Sequence, residues 1–254
     1  MQTVRNVLVS SIVATCLFGH SAVAESKSDE FVVPDLAQEA QHKVASKRIT
    51  AWFSRSHYKK VQLDDSLSAM IFDRFIRNLD YNKSLYLQRD IDSFGQYKNQ
   101  FDDGIRNGKL DFAFELYEES IRRRVERFRT AIKSLDKPFD FTKDDKFFYD
   151  REDVNWATDE AELDAFWRQK VKYDALNLKL AGKDAEGIKE TLTKRYTNSI
   201  RRLTQSQNED AFQTVMNSFA RSIEAHTSYL SPRRAERFKV DMNLELEGIG
   251  AVLQ

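Results

Sequence analysis

The sequence predicts a mainly α-helical protein: a multi-helix body followed by the first β-strands of an incomplete domain. Three observations carry this. Apolar residues recur at steps of three, four and seven through most of the chain, the period of helices with one buried face. Only 8 Gly and 3 Pro occur in 254 residues, few for a loop-rich β fold. Near the end the period changes. Met242, Leu244 and Leu246 alternate with Asp241, Asn243, Glu245 and Glu247, the pattern of a half-buried strand.

The elements divide the chain into residues 1–24, 25–240 and 241–254. The first segment reads as a secretory signal peptide. Arg5 is followed by an uncharged apolar run over 7–19, then by Ala22-Val23-Ala24 before Glu25. This is the charged, apolar and small-residue order of a signal cleaved after Ala24. The run is too short for a membrane anchor, which needs about 20 apolar residues. Cys16 is the single cysteine; Thr15 before it argues against a lipoprotein acceptor. Cleavage after Ala24 leaves no thiol, so the exported chain must fold on its core alone.

Residues 25–34 are polar and predict a short mobile lead-in. A helix is expected from near Asp35 through Val44 and Ile49 to Phe53. Asp64 or Asp65 caps the next, which buries Leu67, Ile71 and Phe75 and ends near Leu79. A third is expected from Leu87 through Ile91, Phe94 and Phe101 to Gly104. The clearest helix spans 109–135, with Phe114, Ile121, Val125, Phe128, Ile132 and Leu135 on one face. Pro138 cannot continue it, and 138–157 predicts a long loop. Asp159 and Glu162 can form a capping box for a helix burying Leu163, Phe166, Trp167, Val171 and Leu178, which stops at Gly182. One further helix holds Ile188, Leu192, Tyr196, Ile200 and Leu203. The last holds Phe212, Val215, Met216, Phe219 and Ile223, and Pro232 punctuates the end of the helical body. From Asp241 a strand leads into Gly248 and the run Ile249 to Leu253. A lone hairpin is barely stable in water, so the chain reads as incomplete there.

Little in the helical body points to catalysis. Lys+Arg and Asp+Glu both count 40, so net charge gives no reason to expect nucleic acid or an anionic membrane. His42, His57 and His226 sit in no metal-binding spacing, and no metal or cofactor is predicted. Ser56-His57-Tyr58-Lys59 matches the SxxK pattern of some acyl enzymes, but the companion motifs are missing and the stretch reads as a helix end and turn. The basic run 121–129 interleaves with core positions, and its arginines can pair with Glu115, Glu118, Glu119 and Glu126. One stretch reads as a ligand site. Gly248-Ile249-Gly250-Ala251 allows successive N–H groups to converge as an anion-binding nest, fit for a peptide carboxylate; a simple hairpin or bulge would use the same residues.

Taken together, SRSHYKK (54–60), FDRFIRNLDYNKSLYL (72–87), GKLDFAFELYEESIRRRVERF (108–128), LTKRYTNSIRRLTQ (192–205), HTSYLSPR (226–233) and LELEGIGAVLQ (244–254) resemble the N-terminal region of the tail-specific proteases, or carboxy-terminal processing peptidases, over essentially the whole exported chain. The resemblance implies a periplasmic protein. It implies a helical N-terminal domain, then a PDZ domain, then a protease domain with a serine–lysine dyad, acting on proteins selected by apolar C-termini. By that resemblance Gly248, Ile249, Gly250 and Ala251 help grip the substrate carboxylate. Leu244 and Leu246 couple the PDZ domain to the helical body. The helical part encloses substrate and contacts a periplasmic adaptor protein. None of the serines or lysines present matches the dyad motifs, so this chain is expected to be inactive alone. The sequence departs from the DPH of many relatives at Glu224-Ala225-His226. The competing expectation is a stand-alone, non-catalytic helical binding or chaperone-like protein.

Overall fold

The computed structural model describes residues 31–243. Among them are nine α-helices: α1 (Ala40–Ser56), α2 (Asp65–Leu79), α3 (Gln88–Phe94), α4 (Phe101–Asn107), α5 (Asp111–Ser134), α6 (Glu160–Leu180), α7 (Ala185–Leu203), α8 (Asn208–Ile223) and α9 (Pro232–Asn243). A 3-10 turn, Gly95–Tyr97, follows α3.

The apolar faces read from the sequence meet one another. α2 packs on α8 and α4, and α5 on α7, α6 and α8, while α1 lies on α4 and touches α8. Ile71 and Phe75 of α2, Phe114, Ile121 and Val125 of α5, Leu192 and Ile200 of α7, and Phe212 and Val215 of α8 are all buried. Burying such side chains is the main favourable term in folding. Helix starts are fixed by side chains: Asp64 accepts from the Leu67 N–H at 3.1 Å, and Asp159 from that of Glu162 at 2.9 Å. The Glu162 carboxylate reaches one residue further back than a standard box, to the Thr158 N–H at 2.8 Å. Gly108 closes α4 with φ +66°, and a Cβ there would meet the Lys43 carbonyl oxygen of α1 at 2.8 Å. That glycine both ends a helix and lets two helices touch.

Five expectations are corrected. The helix expected over 87–104 is broken between Phe94 and Phe101. The Ser68 hydroxyl of α2 accepts the N–H groups of Phe101 at 2.9 Å and Asp102 at 3.3 Å, which starts a separate helix there. α1 begins at Ala40 rather than near Asp35, because residues 31–39 make side-chain bonds instead of helical ones. The Leu36 N–H goes to Glu118 at 3.2 Å, the Ala37 N–H to Asn208 at 3.0 Å, and the Phe31 carbonyl accepts from Arg129 at 2.9 Å. Residues 31–34 are therefore strapped to the body rather than a mobile lead-in. Pro232 opens a helix instead of ending the helical body; proline suits a first helical position, where its missing N–H is not needed. Asp241, Met242 and Asn243 are the last residues of α9 and not the start of a strand. The period-of-two pattern overlaps a helical one there, since Ala235, Phe238 and Met242 are also spaced three and four apart.

The loop between α2 and α3 organises the middle of the fold. Asp80 is buried, and its carboxylate accepts from the N–H of Ser84 at 2.8 Å, of Leu85 at 2.8 Å and of Tyr86 at 3.2 Å, and from the Ser84 hydroxyl at 3.2 Å. The turn so formed presents the Ser84 carbonyl to the Trp167 indole N–H at 2.8 Å. It also places Lys83, whose ammonium donates to the carbonyls of Glu152 and Val154 at 2.5 and 2.6 Å. The long loop over 138–157 is thus irregular, as expected, yet held. Its far end is fastened by Gln88 N–H donating to the Ala157 carbonyl at 2.9 Å.

Candidate functional site

The residues singled out from the sequence, Gly248, Ile249, Gly250 and Ala251 with Leu244 and Leu246, lie outside the described residues. What the structure describes is the approach to them: the loop 224–231 and α9.

The loop runs back along α8. The Glu224 carboxylate accepts from the His226 N–H and the Thr227 hydroxyl, both at 2.9 Å. These bonds fix a turn at Glu224-Ala225-His226, and the one from the His226 backbone holds the carboxyl below the usual glutamate range. Tyr229 follows. Its N–H donates to Asn217 at 2.8 Å, its hydroxyl donates to Glu209 at 2.8 Å, and its ring meets Phe212 edge-on at 5.3 Å. Burial first, then the neighbouring Glu209 carboxylate, pushes the Tyr229 hydroxyl well above its usual range, so it stays a donor at any ordinary pH.

Glu209 is shared. Its second oxygen lies 3.1 Å from Nε2 of His42, which is buried and stacked on Phe212 at 4.6 Å. His42 Nδ1 accepts from the Glu39 N–H at 3.1 Å, so in the neutral ring the proton sits on Nε2 and points at Glu209. Asn208 adds a bond to Glu39 at 2.7 Å. Nothing in the spacing of residues 42, 209 and 229 signals this network, because its members meet only through the fold.

α9 then leaves the body. Every residue from Pro232 to Met242 is exposed except the half-buried Ala235, and Phe238 and Met242 are 54% and 66% accessible. Arg233, Arg234, Arg237 and Lys239 line the same helix.

Other motifs are absorbed by the structure. The Lys59 ammonium donates to the carbonyl of Ile223 at 2.8 Å, the last residue of α8, where the helix dipole favours a cation. That lysine is therefore engaged as a helix cap rather than presented to a nucleophile. Arg122 pairs with Glu118 and Glu119, Arg123 with Asp90 and Glu119, and Arg127 with Glu160 and Asp164. Arg124 donates to the Leu79 carbonyl. The open groove of about 410 Å³ beside these side chains is lined by Arg122, Arg123 and Arg127 together with Glu119, Glu126 and Glu160. Its charges largely cancel, so it is a poor cradle for a polyanion. Among the described residues no group of three or more His, Cys, Asp or Glu side chains could hold a metal ion. No helix among them is long and apolar enough to cross a membrane.

The described residues thus form a packed helical body that ends in a solvent-exposed helix. Comparison with known proteins makes the class specific. Residues 49–233 match the family described as the tail specific protease N-terminal domain, and the chain belongs to that family. It is 44% identical over 229 residues to the tail-specific protease of Haemophilus influenzae, an alignment covering 90% of this chain and 33% of that relative. The chain therefore spans about a third of the length of the curated relative it matches.

Proposed function

We propose that this chain is the helical front part of a periplasmic tail-specific protease, exported by a signal removed after Ala24. In this reading the body helps enclose substrate polypeptides and contacts a periplasmic adaptor protein. α9 leads to Leu244 and Leu246, which couple the body to a PDZ domain. Gly248, Ile249, Gly250 and Ala251 present backbone N–H groups to the C-terminal carboxylate of a substrate with apolar last residues. Peptide hydrolysis by a serine nucleophile with lysine as general base belongs to residues other than those described.

The observation that supports the reading most is the family match over 49–233, because it covers most of the described helical body. Two measurements test it. Purified 25–254 should leave a peptide with an apolar C-terminus uncut; turnover abolished by Ser56→Ala would place a nucleophile in the helical body and overturn the assignment. Sequencing the transcript past the Gln254 codon should show an open frame entering a PDZ domain and a serine–lysine motif. A stop codon there would leave a stand-alone helical binding protein.

A further inference from the structure

The direction of α9 is set at its root. Apart from the half-buried Ala235 the helix is exposed from Pro232 to Met242, so among the described residues no buried face holds it against the body. The root has little freedom. Pro232 fixes its own φ and biases Ser231 toward an extended backbone. Ser231 is buried, and its carbonyl accepts the Ala235 N–H at 2.8 Å, starting the helix. Only Leu230 separates this joint from Tyr229. Wherever Tyr229 is held, α9 must follow.

We infer that Tyr229 and Glu209 form a latch that fixes the direction of the α9 arm, with His42 as the residue that positions Glu209. One oxygen of Glu209 receives the Tyr229 hydroxyl and the other faces His42 Nε2. The carboxylate stands in the first turn of α8, where the helix dipole favours it. The same side chain thus fastens the N-terminal turn of α1 and the root of α9. A displacement of either segment loosens the hold on the other, which makes Glu209 the point where the strap over 31–39 and the arm communicate. The latch rests on the geometry of the described residues and is independent of what activity the rest of the protein carries.

The test uses the full chain with Cys16→Ser, spin-labelled at Lys183→Cys on the body and Lys239→Cys on the arm. Pulsed electron spin resonance should give one narrow distance distribution. Tyr229→Phe keeps the ring against Phe212 and removes a bond to a charged group, a change that shifts the ratio of held to released arms by about ten-fold. The released population should rise by that factor while the circular dichroism melt stays cooperative. Adding Asn217→Ala, which removes the second anchor of Tyr229, should release the arm further. A parent distribution already as broad as that of the variants overturns the latch, as does a narrow distribution unchanged by both substitutions.

Discussion

Replacing Asp80 by alanine should be among the costliest single changes in the protein. The side chain accepts three N–H groups, two of them buried, and one hydroxyl, all from Ser84, Leu85 and Tyr86. The Ser84 hydroxyl can rotate to a new partner, but the three N–H groups cannot. Leu85 and Tyr86 are 3% and 0% exposed, so water reaches them poorly. A buried donor left without a partner costs roughly 1–3 kcal/mol. Allowing the part-buried Ser84 N–H to be rescued by an entering water, the two that remain cost about 2–6 kcal/mol together. That is a large part of the stability of an ordinary domain. Urea unfolding of Asp80→Ala against the parent measures it at neutral pH. A loss under about 1 kcal/mol would mean the turn holds itself and the carboxylate is incidental, contrary to the account of the middle loop given above. The difference should also depend on pH. Burial raises the Asp80 pKa above its ordinary value, and the backbone bonds only partly oppose this. A raised folded-state pKa gives a contribution that is full in acid and lost as pH rises through the folded value. The stability gap between parent and variant should therefore be wider at acid pH than at neutral pH.

Other outcomes are equally specific. Gly108→Ala places a Cβ 2.8 Å from the Lys43 carbonyl at a positive φ; it should cost about 2–4 kcal/mol in the same assay, and no measurable cost would contradict the close approach of α1 and α4. Asp159→Ala removes the cap of α6 and should cost about 1 kcal/mol, with amide exchange faster in the first turn of that helix and unchanged in α2. Lys59→Met deletes the cap on Ile223 while keeping the apolar stem; it should lower the melting temperature by a few degrees, in line with loss of one charge-assisted bond, and an unchanged melt would show that the end of α8 needs no cation.

The helices most legible in the sequence are those with long, regular apolar faces. α5, α7 and α8 were readable from spacing alone, because each buries a continuous stripe and ends at a proline, glycine or polar cluster. The break between α3 and α4 was not readable. It depends on Ser68, some thirty residues earlier, capturing the Phe101 and Asp102 N–H groups, and no local pattern carries that. The start of α1 lies at Ala40 rather than near Asp35 for a related reason: Glu118 and Asn208, far along the chain, take the Leu36 and Ala37 N–H groups. α9 was missed because Met242 serves two periods at once. Of the candidate site, the glycine segment could be named from sequence and lies outside the described residues. The Glu209 network could not be named, since its three members are brought together only by the packing of α1 and α8.

The pairing of α2 with α8 has a consequence for the order of events in synthesis. Asn78 of α2 donates to Ser218 of α8 at 3.0 Å, across 140 residues of chain. At a synthesis rate of about 5–20 residues per second, α2 waits roughly 7–28 s for its partner. Throughout that interval α2 has α4 to pack against but lacks α8, its other main partner, so part of its apolar face stays uncovered. The front half of the molecule is therefore aggregation-prone until the back half arrives. Any lesion that delays α8 should be felt first as poor yield in the cell, long before it is felt as a lower melting temperature in the purified protein.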